Sequence, residues 1–188
     1  MAQTVCLIPG DGIGPAITEA TKLVLSAAGA RIDWLELPAG AGAVEEYGDV
    51  LPEKTVEAIG QYRLALKGPL TTPIGKGFGS VNVRLRKTFD LYAAVRPVRS
   101  VPGIKTRYDN VELVVLRENT EGLYSGLEHQ IIPGVIETLR ITTQAGCERI
   151  AKFAFKYARE RGRRKVTLFH KANIIKWPTA CSSIAPAG

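Results

Sequence analysis

VCLIPGDGIGPAITEATKLVLSAAG, residues 5–29, sets how the rest of the chain is read. Val5–Pro9 is a short, unbroken apolar run, the pattern of a strand buried on both faces. GDGIGP (10–15) follows as a turn. A helix then runs to about Ala28, with Pro15 near its first turn and Gly29 as its stop. Strand, glycine-rich turn and helix are the setting of a dinucleotide fingerprint, but the spacing denies it. A G-x-G-x-x-G beginning at Gly10 requires glycine at 15, where Pro15 stands. The turn is therefore read as a place where chain and helix pack closely, with Asp11 as a local hydrogen-bond acceptor.

Moving outward, Ile32–Leu37 alternates like a strand, Pro52–Ile59 opens a short helix, and Arg63–Leu66 is another strand. A Gly/Pro/Thr-rich loop follows from Gly68 to Gly79, then a helix from Ser80 to about Phe89. Leu91–Val95 is strand-like, and Val111–Leu116, Leu139–Thr143 and Val166–Phe169 are expected strands. Gln144–Arg161 puts Ile150, Phe153, Ala154, Tyr157 and Ala158 on one face and ends at Gly162, an amphipathic helix with a glycine stop. Alternating strands and helices in the first half argue an α/β fold. A composition change near residue 92 suggests a seam, with 1–92 in one domain and 93–176 in a second.

The chain has 188 residues, 45% of them apolar, and a mean hydropathy near zero, enough for a real core. No stretch approaches the ~18 consecutive apolar residues of a membrane span. The first apolar stretch is too short for a secretory signal and the first arginine is Arg31, so no leader is expected. The three cysteines (Cys6, Cys147, Cys181) are scattered, with no CxxC. His129 and His170 lack metal-ligand spacing. A cytoplasmic protein without a zinc site is expected.

The net charge of +7 is unevenly placed. Residues 1–62 hold 3 Lys/Arg against 9 Asp/Glu, whereas 63–107 hold 10 against the single Asp90. A second basic block, 151–176, reads as the solvated carbonyl end of the amphipathic helix, where cations suit the macrodipole. The first block implies an anionic partner. With aromatics at only 7% and no nucleic-acid-binding motif, a small polyanion is favoured and nucleic acid is not.

KGPLTTPIGKGFGS (67–80) brings glycines at 75, 77 and 79 and the hydroxyls of Thr71 and Thr72 to one loop. Ser80 sits where an N-cap would, so its hydroxyl and the first amides of its helix face any anion there. Arg84 and Arg86 follow on that helix. Arg96 comes after Leu91–Val95, and Arg117 closes Val111–Leu116. Guanidiniums bind carboxylates bidentately and stay charged at any working pH. Several in one series are costly unless a multivalent anion satisfies them, so a di- or tricarboxylate is expected. RENTEGLYSG (117–126) adds Tyr124, and HKAN (170–173) places a lysine after an expected strand, where lowered pKa would make it an acid/base.

PGDGIGP (9–15), KGPLTTPIG (67–75), SVNVRLRKTFDLYAAVRP (80–97), RENTEGLYSG and HKANI (170–174), in this order and spacing, resemble the isocitrate/isopropylmalate dehydrogenase family of metal-dependent, decarboxylating 2-hydroxy-acid dehydrogenases. The resemblance implies that family's non-Rossmann α/β fold, here incomplete at its C-terminus, with 93–176 in the smaller, dimer-forming domain. It implies a homodimer or hetero-oligomer, with no membrane or nucleic-acid partner. Isocitrate enzymes of the family carry Ser-x-Asn at the start of the substrate-loop helix to hold the extra carboxylate, and Ser80-Val81-Asn82 matches. Isocitrate is thus favoured over isopropylmalate or homoisocitrate. Ser80, Asn82, Arg86, Arg96 and Arg117 would hold the tricarboxylate. Thr71, Thr72 and Asn173 would border the cofactor, NAD in preference to NADP. Tyr124 would protonate the enolate at C3, and Lys171, given by the neighbouring subunit in this family, would assist proton movement from the hydroxyl. The family's Mg²⁺ or Mn²⁺ ligands lie downstream of HKAN, and no clustered Asp pair occurs in this chain.

The tail departs from the family pattern, which continues after HKANIIK with a helix containing Asp-Gly-Leu-Phe-Leu. Pro178 opposes that helix. Dropping one base from GC-rich codons for those five residues gives Thr-Ala-Cys-Ser-Ser, which is residues 179–183. Residues 177–188 therefore read as out-of-frame peptide, and the chain as a truncated fragment inactive alone. The alternative is a non-catalytic, isocitrate-binding or regulatory subunit.

Overall fold

The computed structural model of the chain describes residues 2–71 and 79–169. It separates into two compact units, Met1–Phe89 and Asp90–Gly188. The first is a three-stranded parallel sheet with helices. Strand β1 (Gln3–Ile8) lies between β2 (Ile32–Glu36) and β3 (Ala65–Lys67), with Cys6 opposite both Leu35 and Ala65. Its last four residues, Val5 to Ile8, are buried, as expected of a central parallel strand covered on both faces. Helix α1 (Gly14–Ala27) carries Pro15 in its first turn and ends before Gly29 in the left-handed region, as the sequence reading expects.

Two short helices, α2 (Ala41–Tyr47) and α3 (Glu53–Tyr62), lead from β2 to β3. The sequence reading does not anticipate α2. It has only seven residues and contains Gly42, so its apolar spacing is too brief to register, although Gly48 (φ +70°) is a helix stop in plain sight. Helix α4 (Val81–Thr88) follows with Ser80 at its N-cap. The core of this unit gathers Cys6, Ile8, Leu37, Ala39, Val50, Leu51 and Val81, with Leu85 packed against it. The loop between α2 and α3, through Val50 and Leu51, and helix α4, through Val81, thus share the core with the sheet.

The second unit is built from two antiparallel pairs and a helix. Strand β4 (Ala93–Arg99) pairs with β5 (Glu112–Glu118), and β6 (Gly122–Ile132) with β7 (Val135–Ile141). Helix α5 (Gln144–Glu160) is capped by Thr143, whose hydroxyl accepts the Gly146 amide at 3.0 Å, and it stops before Gly162 (φ +62°). Its half-buried face carries Ile150, Phe153, Ala154 and Tyr157, with Ala158 buried. One strand is unanticipated and one strand expectation is corrected. The polar run ENTEGLYSG hides β6, which is a two-stranded ribbon with Leu123, Ile131 and Ile132 exposed, so no face of it alternates cleanly. Val166–Phe169 is not a strand. A strand persists only where a neighbour takes its N–H and C=O groups, and among the described residues none pairs with it.

Candidate functional site

In the first unit, the expected ligand loops meet their own backbone. Gly10 has φ +88°, and a Cβ there would lie 2.0 Å from the Pro69 carbonyl oxygen; a Cβ on Gly68 would lie 1.9 Å from the Pro9 oxygen. The Asp11 amide donates to the Pro69 oxygen at 2.8 Å, and the Gly68 amide to the Ile8 oxygen at 2.8 Å. The Asp11 carboxylate Oδ2 accepts the amides of Thr71 (2.7 Å) and Ala41 (3.2 Å). Gly10 thus admits a neighbouring strand loop where a dinucleotide fingerprint would admit a pyrophosphate. Asp11 has the acceptor role assigned from sequence, and it fixes the backbone at Thr71. Thr71 itself is exposed. Thr72, Lys171 and Asn173 lie outside the described residues.

Helix α4 presents three side-by-side pairs, each four residues apart. Ser80 and Arg84 form one edge, Val81 and Leu85 the buried stripe, and Asn82 and Arg86 the other edge. The Ser80 hydroxyl caps no amide of the helix. Arg84 is removed from the anion-binding series, since it is bidentate to Asp49 at 2.6 and 2.9 Å. The Arg84 hydrogen bond holds the Asp49 carboxyl below the ordinary carboxylate value. Lys67, at the end of β3, is a cation the sequence reading did not single out. Its Nζ donates to the Gly68 oxygen at 2.6 Å; the residue is exposed, but partial desolvation of the amine, together with the Arg86 charge, lowers its pKa. Lys67 and Arg86 are like charges brought together, an arrangement that an anion relieves. The nearest sequence signal for it is position alone, the carboxyl end of a parallel strand.

In the second unit, the Arg117 Nη2 donates to the Tyr124 hydroxyl at 3.1 Å, and its guanidinium carbon stands 5.3 Å from the ring centre. This bond uses the phenolic oxygen as acceptor, so the phenolic proton is directed away from Arg117. In the β4–β5 register Ala94 faces Arg117 and Arg96 faces Val115. Arg96 and Arg117 are therefore diagonal neighbours on one face of the ribbon. Both are exposed, and among the described residues neither forms an ion pair with a carboxylate.

The acidic residues of RENTEG have other work. Glu118 accepts the Thr120 hydroxyl (2.6 Å), the amides of Glu121 (2.8 Å) and Thr120 (3.0 Å), and Arg149 Nη2 (3.2 Å). Burial raises its pKa, but these bonds outweigh burial and the carboxyl sits below its ordinary value. Arg149 also grips Asp90 at 2.9 and 3.1 Å and lies 4.7 Å from the Tyr92 ring centre. Glu121 accepts the Thr143 amide at 2.9 Å. These groups fix the turn that links Arg117 to Tyr124. No cluster of three or more metal-ligating side chains occurs among the described residues.

Residues 4–184 match the family model described as isocitrate/isopropylmalate dehydrogenase. The chain is 49% identical over 173 residues to the mitochondrial catalytic subunit 5 of NAD-linked isocitrate dehydrogenase of Arabidopsis thaliana, covering 92% of this chain and 46% of that protein. It is 51% identical over 174 residues to a mitochondrial regulatory subunit of NAD-linked isocitrate dehydrogenase of Dictyostelium discoideum, covering 93% and 48%. The crystal structure of isocitrate dehydrogenase from Methylococcus capsulatus superposes with a TM-score of 0.90 at 47% identity, over 98% of this chain and 56% of that one. The chain spans about half the length of the relatives it matches.

Proposed function

The chain belongs to the isocitrate/isopropylmalate dehydrogenase family, and from that premise we propose that it carries the tricarboxylate-binding half of an isocitrate dehydrogenase. The complete protein would oxidise and decarboxylate isocitrate to 2-oxoglutarate with NAD and a divalent cation, as a homodimer or hetero-oligomer. The observation that carries this reading is the Arg117–Tyr124 pair with Arg96 on the same ribbon face, cations without an ion-pair partner among the described residues beside a polarised phenol. Ser80-x-Asn82 at the start of α4 supports a third carboxylate over the alkyl group of isopropylmalate.

The residues proposed to bind isocitrate are Ser80, Asn82, Arg86, Arg96 and Arg117. Fork-shaped guanidiniums fix carboxylates in two directions each, which orients the substrate as well as holding it. Tyr124 gives its proton to C3 of the enolate left by loss of carbon dioxide. Arg117, bonded to the phenolic oxygen, orients that proton and balances the phenolate that results. No cluster among the described residues fits a divalent cation, and the Pro69 carbonyl fills the glycine turn where a fingerprint would seat a pyrophosphate. Thr71, Thr72 and Asn173 are proposed to border the cofactor, and no step of the mechanism is assigned to either group.

The 188-residue chain is expected to bind isocitrate calorimetrically without reducing NAD. Joined to the C-terminal half of a relative it matches, such as the catalytic subunit of Arabidopsis thaliana, it is expected to reduce NAD with isocitrate, followed by absorbance of the reduced cofactor. The similarity to a regulatory subunit favours a second reading, binding without turnover. Isocitrate binding with no reduced NAD from the joined chain supports that second reading. Absence of binding in both chains overturns the two together.

A further inference from the structure

Helix α4 is short, eight residues, and the apolar contacts that seat it come from one stripe. Val81 is 1% exposed and Leu85 packs on the same core. Apolar burial is non-directional, so this stripe sets how deep the helix sits far better than how it is rolled about its axis. At about 100° per residue, Ser80 and Arg84 lie to one side of the stripe and Asn82 and Arg86 to the other. A directional contact on the Arg84 edge therefore determines where the Asn82 edge points.

Asp49 supplies that contact. It is followed by Val50 and Leu51, which are 0% and 1% exposed, so the backbone carrying the carboxylate is anchored in the core. The backbone N–H groups of Leu51 and Val50 add to Arg84 in favouring the charged form of that carboxylate. Arg84 Nη1 and Nη2 meet Oδ1 and Oδ2 at 2.6 and 2.9 Å. Two parallel bonds between planar groups restrain angle as well as distance, which one bond or a point charge does not. We propose that Asp49 and Arg84 are positioning residues that clamp the roll of α4 and thereby aim Ser80 and Asn82 at the third carboxylate of the substrate. The proposal rests on the isocitrate reading above.

The test uses the 188-residue chain and two ligands titrated calorimetrically, isocitrate and malate, which is also a 2-hydroxy acid but lacks the third carboxylate. Arg84→Met is expected to weaken isocitrate about tenfold, the size of one charge-assisted hydrogen bond, and to leave malate within about twofold. Arg84→Lys, which keeps charge but not the fork, is expected to fall between Arg84→Met and wild type. Asp49→Asn, nearly isosteric, gives the same selective loss and serves should Arg84→Met fail to fold. Equal weakening of both ligands marks mere stabilisation and overturns the clamp. So does an unchanged isocitrate affinity, or Arg84→Lys equal to wild type. A wild-type chain that binds neither ligand refutes the isocitrate reading itself, a result distinct from the others.

Discussion

Gly10 and Gly12 offer a matched pair for testing whether the glycine turn exists to admit the neighbouring backbone. Both have positive φ, +88° and +59°. A methyl group on Gly12 meets nothing within 4 Å, whereas one on Gly10 lies 2.0 Å from the Pro69 oxygen. Gly12→Ala therefore suffers only the left-handed conformation, about 1–2 kcal/mol. Gly10→Ala suffers that and a collision with main chain, which cannot rotate aside. Overpacking of this kind costs a further ~1–3 kcal/mol, and the shift also strains the Asp11 amide bond to Pro69. The expected difference between the variants is about 2 kcal/mol, roughly 1 M in urea midpoint at a slope of ~2 kcal/mol/M. Unfolding is followed by the fluorescence of Trp34, which lies in β2 of this unit, in a Trp177→Phe background. Equal midpoints for the two variants refute the packing account and reopen the turn as a ligand site.

Three further outcomes follow from the second unit. Glu118 has a carboxyl pKa below its unfolded value, so its stabilisation is present above the ordinary carboxylate range and is lost as pH falls through the folded pKa. Glu118→Gln is expected to be about 1–3 kcal/mol less stable at pH 7, a gap that closes in acid; a gap constant with pH in urea titrations removes the electrostatic explanation. In the joined chain, Tyr124→Phe is expected to slow turnover with isocitrate by about 10²-fold or more, with binding within about tenfold. Equal losses in both quantities count against its acid role. Arg117→Lys loses the fork and the seat on Tyr124 and is expected to weaken isocitrate about tenfold or more by calorimetry; no change would place the carboxylate elsewhere.

Much of the first unit was legible because its signals are local. The apolar run before Gly10, Pro15 in the first turn and Gly29 at the end specify β1 and α1 without tertiary information. Asp11 was readable as an acceptor because a short acidic side chain beside glycines has few other uses. Arg84 was not separable from Arg86 in the sequence. Both stand on one helix, and only packing shows that Asp49, 35 residues earlier, takes the former. Lys67 was missed for a related reason, since its perturbation comes from partial desolvation of its amine and from Arg86, both products of folding. The strand β6 escaped because it belongs to a two-stranded ribbon in which Leu123, Ile131 and Ile132 stay exposed, so no clean apolar alternation marks it.

Arg149 joins parts of the second unit that are far apart in the chain. From helix α5 it reaches Asp90 and Tyr92 before β4, and Glu118 and Thr120 after β5. Detaching α5 must release all of these at once, because a single guanidinium serves them all. Amide protons of the 118–121 turn and of the first half of the helix should consequently exchange with deuterium at one common rate, as one opening event, although about 30 residues separate them. Tyr124 and Arg117, one at each end of that turn, would lose their alignment in the same event.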